Sequence, residues 1–243
     1  MGRYDRNQSM RTTDFRLFSL IHIAILAAVP LIAMSLAAAA RAHRLYARRI
    51  SLSLAAMLTV NEIIWYSYRY STEGLRFPEG MPLQLCDAMV WMAVAALISR
   101  AQWVFETAFL IGIAGAGMAL LTPDLWAPLR SYPSIYFFLA HGGIVIAVLY
   151  LIWSHARSLK PGCVWRVFLT VNLFALFVGT FNAIFGTNYM YLCRKPQGAS
   201  LLDYLGPWPF YVLGGEVLAL GMLWMLWLPF AWARRRGERV LTQ

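Results

Sequence analysis

Seven long apolar segments divide this chain from end to end, and they constrain its fold more than any other feature. They lie near residues 15–40, 50–70, 83–99, 103–121, 133–153, 164–185 and 207–231. Each is close to the roughly 17–25 residues that a membrane-spanning helix needs. Only 13% of the residues are charged, which is about half the share in a typical soluble domain. We therefore predict an all-α polytopic membrane protein, a single transmembrane domain over residues 1–243 built as a bundle of seven helices.

The basic residues gather between the apolar segments and give a net charge of +10. This placement is typical of anchoring at anionic lipid headgroups, so we expect no nucleic-acid partner. The connections after segments one, three and five and the C-terminal tail carry eleven Lys and Arg residues, against five in the opposite connections. The positive-inside rule then predicts an N-out, C-in topology. The N-terminal tail argues against it, with Arg3, Arg6, Arg11 and Arg16.

Polar residues within or next to the segments gather, under this topology, in the outer half of the bundle. Such residues are costly at membrane depth and by default mark a functional site. The set comprises Asn61, Glu62, Gln84, Cys86, Asp87, His141, Asn182, Asn188 and Glu216. Its densest part is Met81–Asp87, where Pro82, a natural first helical residue, predicts that the third helix begins.

Cys86 and His141 form the strongest candidate pair for chemistry. Nucleophilic cysteine catalysis needs a thiolate, a base that takes its proton, and often a third group that orients the base. Glu62 or Asp87 is a candidate for that third group. The pattern therefore predicts a catalytic set of Cys86, His141, Asp87 and Glu62.

Other interpretations of the same two residues stay open. Cys86 also fits a small buried hydrophobe or a disulfide partner of Cys193, and a lone histidine on an apolar helix is often a satisfied core residue. Gly142 and Gly143 follow His141 and permit close approach of a neighbouring helix or a ligand.

A metal site is the weaker hypothesis, and we expect neither a metal nor a cofactor. No HxxxH or CxxC spacing occurs in the chain, although His141, Glu62 and Asp87 stay open as a ligand set. Glu62 and Glu216 also fit a transporter, where intramembrane carboxylates relay protons or couple ions. The aromatic residues of an outer loop fit either the interfacial belt or a mouth to the polar cluster.

Four stretches carry a family resemblance: Pro82–Asp87, His141–Gly143, Gly186–Leu192 and Leu202–Pro209. On these residues the chain resembles the bacterial YwaF-like integral membrane proteins, which belong with the eukaryotic transmembrane protein 164 family. The eukaryotic family is associated with acyl transfer between phospholipids through a cysteine and a histidine. The resemblance implies these roles for Cys86 and His141, with membrane phospholipids as partners and the cytoplasmic membrane of a bacterium as the location.

We therefore expect an integral membrane acyltransferase or transacylase that acts on phospholipid or lysophospholipid acyl chains. The predicted substrate-binding residues are Gln84, Asn188, Tyr189, Tyr191, Trp208 and Glu216. Two alternatives come from other classes. A small transporter or channel would use the intramembrane carboxylates, and a seven-helix receptor or scaffold would be favoured by a disulfide between Cys86 and Cys193.

Overall fold

The chain folds as a bundle of helices in the computed structural model, which describes residues 15–74, 76–99, 101–125, 127–196 and 201–235. Within these ranges there is no β-strand, which confirms the all-α prediction. The helices are α1 Leu20–Ala42, α2 Arg44–Glu73, α3 Leu85–Ile98, α4 Gln102–Leu121, α5 Tyr132–Trp153, α6 Cys163–Phe185 and α7 Phe210–Arg235. Some of the basic residues used for the topology lie outside the described residues, namely Arg3, Arg6, Arg11, Arg100, Arg236 and Arg239. The N-out, C-in topology stays a prediction.

Six of the seven described helices are long and apolar enough to cross a membrane, and α3 is the shorter one. Its 14 residues span about 21 Å at 1.5 Å per residue, less than the roughly 30 Å of a bilayer core. The segment predicted near 83–99 begins two residues before this helix and ends one residue after it. Cys86 is the second residue of α3 and lies in its first turn.

The start of α3 at Pro82 is wrong, because residues 81–84 are held outside the helix by the loop that follows α6. The Met81 N–H donates to the Tyr189 hydroxyl at 2.9 Å. The Met190 N–H donates to Gln84 Oε1 at 3.1 Å. These long-range bonds tie Met81 and Gln84 to that loop, and Gln84 keeps an extended backbone with φ −73° and ψ 148° directly before the helix.

α5 lies at the centre and contacts α1, α2, α3 and α4. It is apolar on all faces, which is the pattern of a helix buried within a core, and most of its residues are buried. α6 and α7 lie at the edge, where large apolar side chains are exposed, among them Leu176, Val217 and Met225. A surface of this kind on apolar helices indicates contact with lipid, and the protein is an integral membrane protein.

Gly143 allows α2 to pack closely against α5. A Cβ at this position would lie 2.7 Å from Leu58 Cδ2 and 3.2 Å from Met57 Cε, whereas at Gly142 the nearest atom is Val29 Cγ2 at 3.5 Å. Leu58 is fully buried, so a methyl added at Gly143 would have to displace a side chain packed within the core. The close approach expected at these glycines is thus made by a neighbouring helix.

The two glycines give a matched prediction for stability. We expect Gly143→Ala to lower the free energy of unfolding by about 1–3 kcal/mol, because the added methyl overpacks the α2–α5 contact. Gly142→Ala is expected to be neutral or to stabilise by up to about 1 kcal/mol, since alanine is the better helix former. Thermal unfolding of both variants in the same detergent measures this difference. Equal midpoints for the two would contradict it.

A buried ion pair closes the end of the bundle away from the α3 N-terminus. Glu106, on the first turns of α4, is fully buried. Its Oε1 and Oε2 accept hydrogen bonds from Arg166 Nη2 at 2.8 Å and Nε at 2.9 Å. Gln102 Nε2 and the Lys160 N–H donate to Oε1 at 2.9 and 3.2 Å. The carboxylate therefore ties α4 to α6 and to the connection before α6.

Candidate functional site

Cys86 and His141 line one small cavity between α3, α4 and α5. Its volume is about 20 Å³, which is room for roughly one water molecule. The rest of the wall is apolar and consists of Leu85, Met89, Ile111, Gly115, Ala116 and Ile144. We call this space the reactive cavity. The structure thus brings together the two residues that the sequence paired.

The backbone of its own helix orients the imidazole of His141. Nδ1 lies 2.8 Å from the carbonyl oxygen of Phe137. A carbonyl only accepts, so Nδ1 carries the proton and donates it, and Nε2 is left with a lone pair. His141 is 8% exposed, so this lone pair belongs to a buried ring. The structure places a backbone carbonyl, rather than Glu62 or Asp87, at the orienting nitrogen.

His22 shows what a purely structural histidine looks like in this bundle. Its Nδ1 accepts from the Phe18 N–H at 2.9 Å, and its Nε2 lies 2.8 Å from the Leu120 carbonyl oxygen. Both ring nitrogens are used, and the residue is fully buried. His141 differs because only one of its nitrogens has a hydrogen-bond partner among the described residues.

The thiol of Cys86 is free and exposed at the surface of the bundle. Cys193 is also free, so the disulfide considered from the sequence is not formed. This removes the feature that would have favoured a receptor or scaffold. Cys163 is free and buried at the start of α6. Among the three cysteines, Cys86 is the one that lines the reactive cavity.

Glu62 belongs to a second polar group, packed between α2 and α5. The residue is fully buried, and its Oε1 accepts from the Tyr136 hydroxyl at 2.8 Å. The Tyr136 ring stacks on Trp65 with ring centroids 4.1 Å apart. Buried polar atoms on these two helices have no hydrogen-bond partner in the described part of the chain at Asn61 Nδ2, Glu62 Oε2 and Tyr132 Oη.

Asp87 points to the same polar group rather than to the imidazole. Tyr66 and Arg69, both on α2, are the side chains that interact with its carboxylate. Glu62 and Asp87 also act on each other electrostatically. The two carboxylates therefore neighbour the reactive cavity without lining it.

Three predicted substrate-binding residues meet in a larger pocket at the mouth of the bundle. Gln84, Asn188 and Tyr189 line a space of about 320 Å³ together with Glu79, Gly186, Thr187 and Arg194. We call it the loop pocket. Its lining is next to that of the reactive cavity along the chain, because Gln84 lines the loop pocket and Leu85 lines the reactive cavity. Sequence reasoning missed Glu79 and Arg194, since isolated charges in a connection usually mark a solvated surface.

Tyr189 fixes the wall of the loop pocket. Its hydroxyl donates to the Pro78 carbonyl oxygen at 2.7 Å, and its backbone N–H donates to Asn182 Oδ1 at 2.9 Å. Burial raises the pKa of the Tyr189 phenol, so the hydroxyl keeps its proton at neutral pH. Asn182 also donates through Nδ2 to the Tyr189 carbonyl oxygen at 2.9 Å, so this residue has a structural role.

Three other predicted residues lie away from both spaces. Trp208 is 63% exposed, and its Nε1 donates to the Leu192 carbonyl oxygen at 3.1 Å. Tyr191 is exposed and accepts through its carbonyl from the Tyr211 hydroxyl at 2.7 Å. Glu216 lies at the contact of α6 and α7. Its Oε2 accepts from Asn172 Nδ2 at 2.9 Å.

The three side chains kept open as metal ligands do not converge. Among the described residues, no group of three or more His, Cys, Asp or Glu side chains is arranged to hold a metal ion. His141 faces the reactive cavity, whereas Glu62 and Asp87 belong to the polar group between α2 and α5. The chemistry of the reactive cavity is therefore that of a thiol and an imidazole.

In the comparison with known protein families, the model of the TMEM164 family matches residues 10–228. The match covers Cys86, His141 and every residue of the loop pocket. No curated protein and no solved structure matches the chain.

Proposed function

The chain belongs to the TMEM164 family, and from that premise and the reactive cavity we propose that it is an integral membrane acyltransferase. Cys86 serves as the nucleophile and His141 as the base. The observation that carries the proposal is their position on the wall of one apolar cavity. A thiol there needs an adjacent base for activation, and His141 keeps Nε2 available for that purpose.

The reaction runs in two steps, and the imidazole moves one proton in each step. His141 Nε2 takes the thiol proton, and Cys86 Sγ attacks the carbonyl carbon of a phospholipid ester. The C–S bond forms, the C–O bond breaks, and the imidazolium returns its proton to the leaving lysolipid oxygen. An acceptor hydroxyl then gives its proton to Nε2, and its oxygen attacks the thioester. The new C–O bond forms, the C–S bond breaks, and the imidazolium returns its proton to Cys86 Sγ, which restores the thiol.

The two neighbouring spaces suit the two ends of a phospholipid. The reactive cavity is apolar and takes the ester end, so the lipid does not have to leave the bilayer. The loop pocket is polar and takes the headgroup, with Gln84, Asn188 and Tyr189 on its wall. Arg194 adds a guanidinium there, and guanidinium pairs well with phosphate oxygens. The cytoplasmic membrane of a bacterium is the proposed location.

Glu62 and Asp87 act in this proposal as positioning residues. The bond from Tyr136 to Glu62 holds α5 against α2 one turn before His141. Asp87 follows Cys86 directly and interacts with α2. Together they fix the first turn of α3 against the helix that carries the imidazole.

A trapped intermediate tests the proposed function. Wild-type protein incubated with a phospholipid should carry an acyl group on Cys86 that hydroxylamine removes and mass spectrometry locates. We expect His141→Ala to lower the rate of acylation by about 10²–10⁴-fold, the usual range for loss of a general base. Wild-type protein that carries no acyl group on Cys86 after exposure to phospholipid, lysophospholipid and acyl thioester donors would contradict the proposal.

Transport is the second candidate function, and one observation favours it. Glu62 is fully buried with Oε2 unpartnered among the described residues, as expected of a carboxylate that takes up a proton or a cation. This function would leave Cys86 without a role. The two candidates therefore differ in how the protein responds to loss of the thiol.

A further inference from the structure

The π-helical segment of α4 forms one wall of the reactive cavity. The segment comprises Gly112–Ala116, and π-helical turns frequently occur at functional sites. Gly115 and Ala116 line the cavity together with Cys86 and His141. Cys86 and Gly115 are exposed, whereas His141 is buried behind them. The cavity therefore opens sideways, between α3 and α4, towards the surrounding lipid.

The glycines of this segment differ in what a side chain would meet. At Gly112, a Cβ would lie 2.8 Å from Ile144 Cγ2, so helix packing accounts for the missing side chain. At Gly115, a Cβ would meet nothing within 4 Å. Glycine inside a helix costs roughly 0.5–1 kcal/mol relative to alanine. At Gly115, close packing does not explain the glycine, and the residue lies on the wall beside the nucleophile.

We infer that the bare surface of Gly115 is the entrance through which a fatty acyl chain reaches Cys86. The inference rests on the proposed function and adds the path of the substrate chain. The ester end occupies the reactive cavity, and the methylene chain leaves between α3 and α4 over Gly115. The size of the cavity agrees, because about 20 Å³ holds only one or two heavy atoms and the rest of the chain has to lie outside.

The walls of this path suit a methylene chain. Leu85 and Met89 belong to α3, and Ile111 and Ile144 come from α4 and α5. All four side chains are apolar. A Cβ at position 115 displaces no other atom, so a bulkier residue there is expected to narrow the entrance for long chains while leaving the thiol in place.

Two thiol reagents that differ only in chain length test the entrance. The thiolate attacks the sulfenyl sulfur of an alkyl methanethiosulfonate, a disulfide forms, and methanesulfinate leaves. The methyl and hexadecyl reagents are compared at Cys86 in a Cys193→Ser background, and mass spectrometry locates the product. For Gly115→Leu we expect the hexadecyl rate to fall at least about tenfold, as usual for an obstructed apolar site, and the methyl rate to change less than about threefold.

Gly117→Leu is the matched control. Gly117 also has nothing within 4 Å of a Cβ, it directly follows the π-helical segment, and it does not line the reactive cavity. Both rates should stay at the wild-type value in this variant. Gly115→Ala supplies a milder substitution if Gly115→Leu folds poorly, and it should give a smaller loss that is again confined to the hexadecyl reagent.

The outcomes separate this inference from the proposed function. An unchanged hexadecyl rate in both Gly115 variants overturns the inference, and so does equal slowing of both reagents. Neither reagent needs catalysed acyl transfer, so the chain path is measured even if the wild-type protein forms no acyl thioester. Conversely, if the protein forms the thioester but substitution at position 115 has no effect that depends on chain length, the proposed function is supported and the entrance at Gly115 is ruled out.

Discussion

Cys86→Ala is expected to abolish acyl transfer, with a loss of at least about 10³-fold in rate and no labelled intermediate. The reason is chemical, because no other thiol lines the reactive cavity among the described residues. The side chain is exposed, so its truncation should change the free energy of unfolding by less than about 0.5 kcal/mol. Transfer of a labelled acyl chain to lysophospholipid, measured in liposomes, gives the rate.

Cys193→Ala provides the control for this experiment, because Cys193 is a free thiol outside the reactive cavity. This variant should transfer acyl chains at the wild-type rate. Transfer by Cys86→Ala within about threefold of wild type would rule out the nucleophile, since loss of a covalent catalyst costs far more. A carboxylate-based transporter would behave differently, with flux that survives the loss of Cys86.

Arg166→Ala is expected to destabilise the bundle strongly. Removing one partner of a buried ion pair costs about 3–5 kcal/mol, because an uncompensated charge stays behind. Glu106 is fully buried, whereas the Arg166 side chain is 44% exposed. Solvent screening therefore moves the expected loss towards about 3 kcal/mol. Thermal unfolding in detergent measures the effect as a lower midpoint.

A surface ion pair serves as the comparison. Lys195 Nζ and Asp203 Oδ1 lie 3.9 Å apart, and both side chains are solvent accessible. Lys195→Ala should lower the free energy of unfolding by less than about 1 kcal/mol. Adding Glu106→Gln to Arg166→Ala should restore part of the lost stability, because the neutral amide needs no counterion. Similar midpoints for Arg166→Ala and Lys195→Ala would show that the buried pair contributes little.

The positions of the seven helices follow from the sequence because hydrophobic length is a local property. Runs of apolar residues near membrane thickness can satisfy their backbone only as helices, and the described helices lie close to the predicted segments. The pairing of Cys86 with His141 was predicted on a similar basis, since each is a rare polar residue at a similar depth on an apolar helix. The positions of the helices and the choice of these two residues each depend on properties of single segments, so neither requires knowledge of how the helices pack.

Long-range contacts decided what the sequence left open. The start of α3 moved from Pro82 to Leu85 because residues 81–84 bond to the loop beyond α6. Glu106 was not recognised, since its partner Arg166 lies 60 residues away. Glu216 bonds to Asn172 of α6 instead of joining the reactive cavity. Its position along α7 had suggested the same depth in the membrane as Cys86 and His141.

The sequence by itself determined the class of fold and the positions of the seven helices, and it singled out Cys86 and His141 as the candidate pair that the structure places on one cavity wall. Hydrophobic length and the cost of a polar group in lipid act locally, so they can be read along the chain. The tertiary structure alone decided that a backbone carbonyl orients His141, that the two carboxylates join a separate polar group, and that Gly115 lines the same cavity as the thiol. These facts depend on which faces of the helices meet. The rotation of each helix about its axis is set by packing contacts between residues that are far apart in the chain.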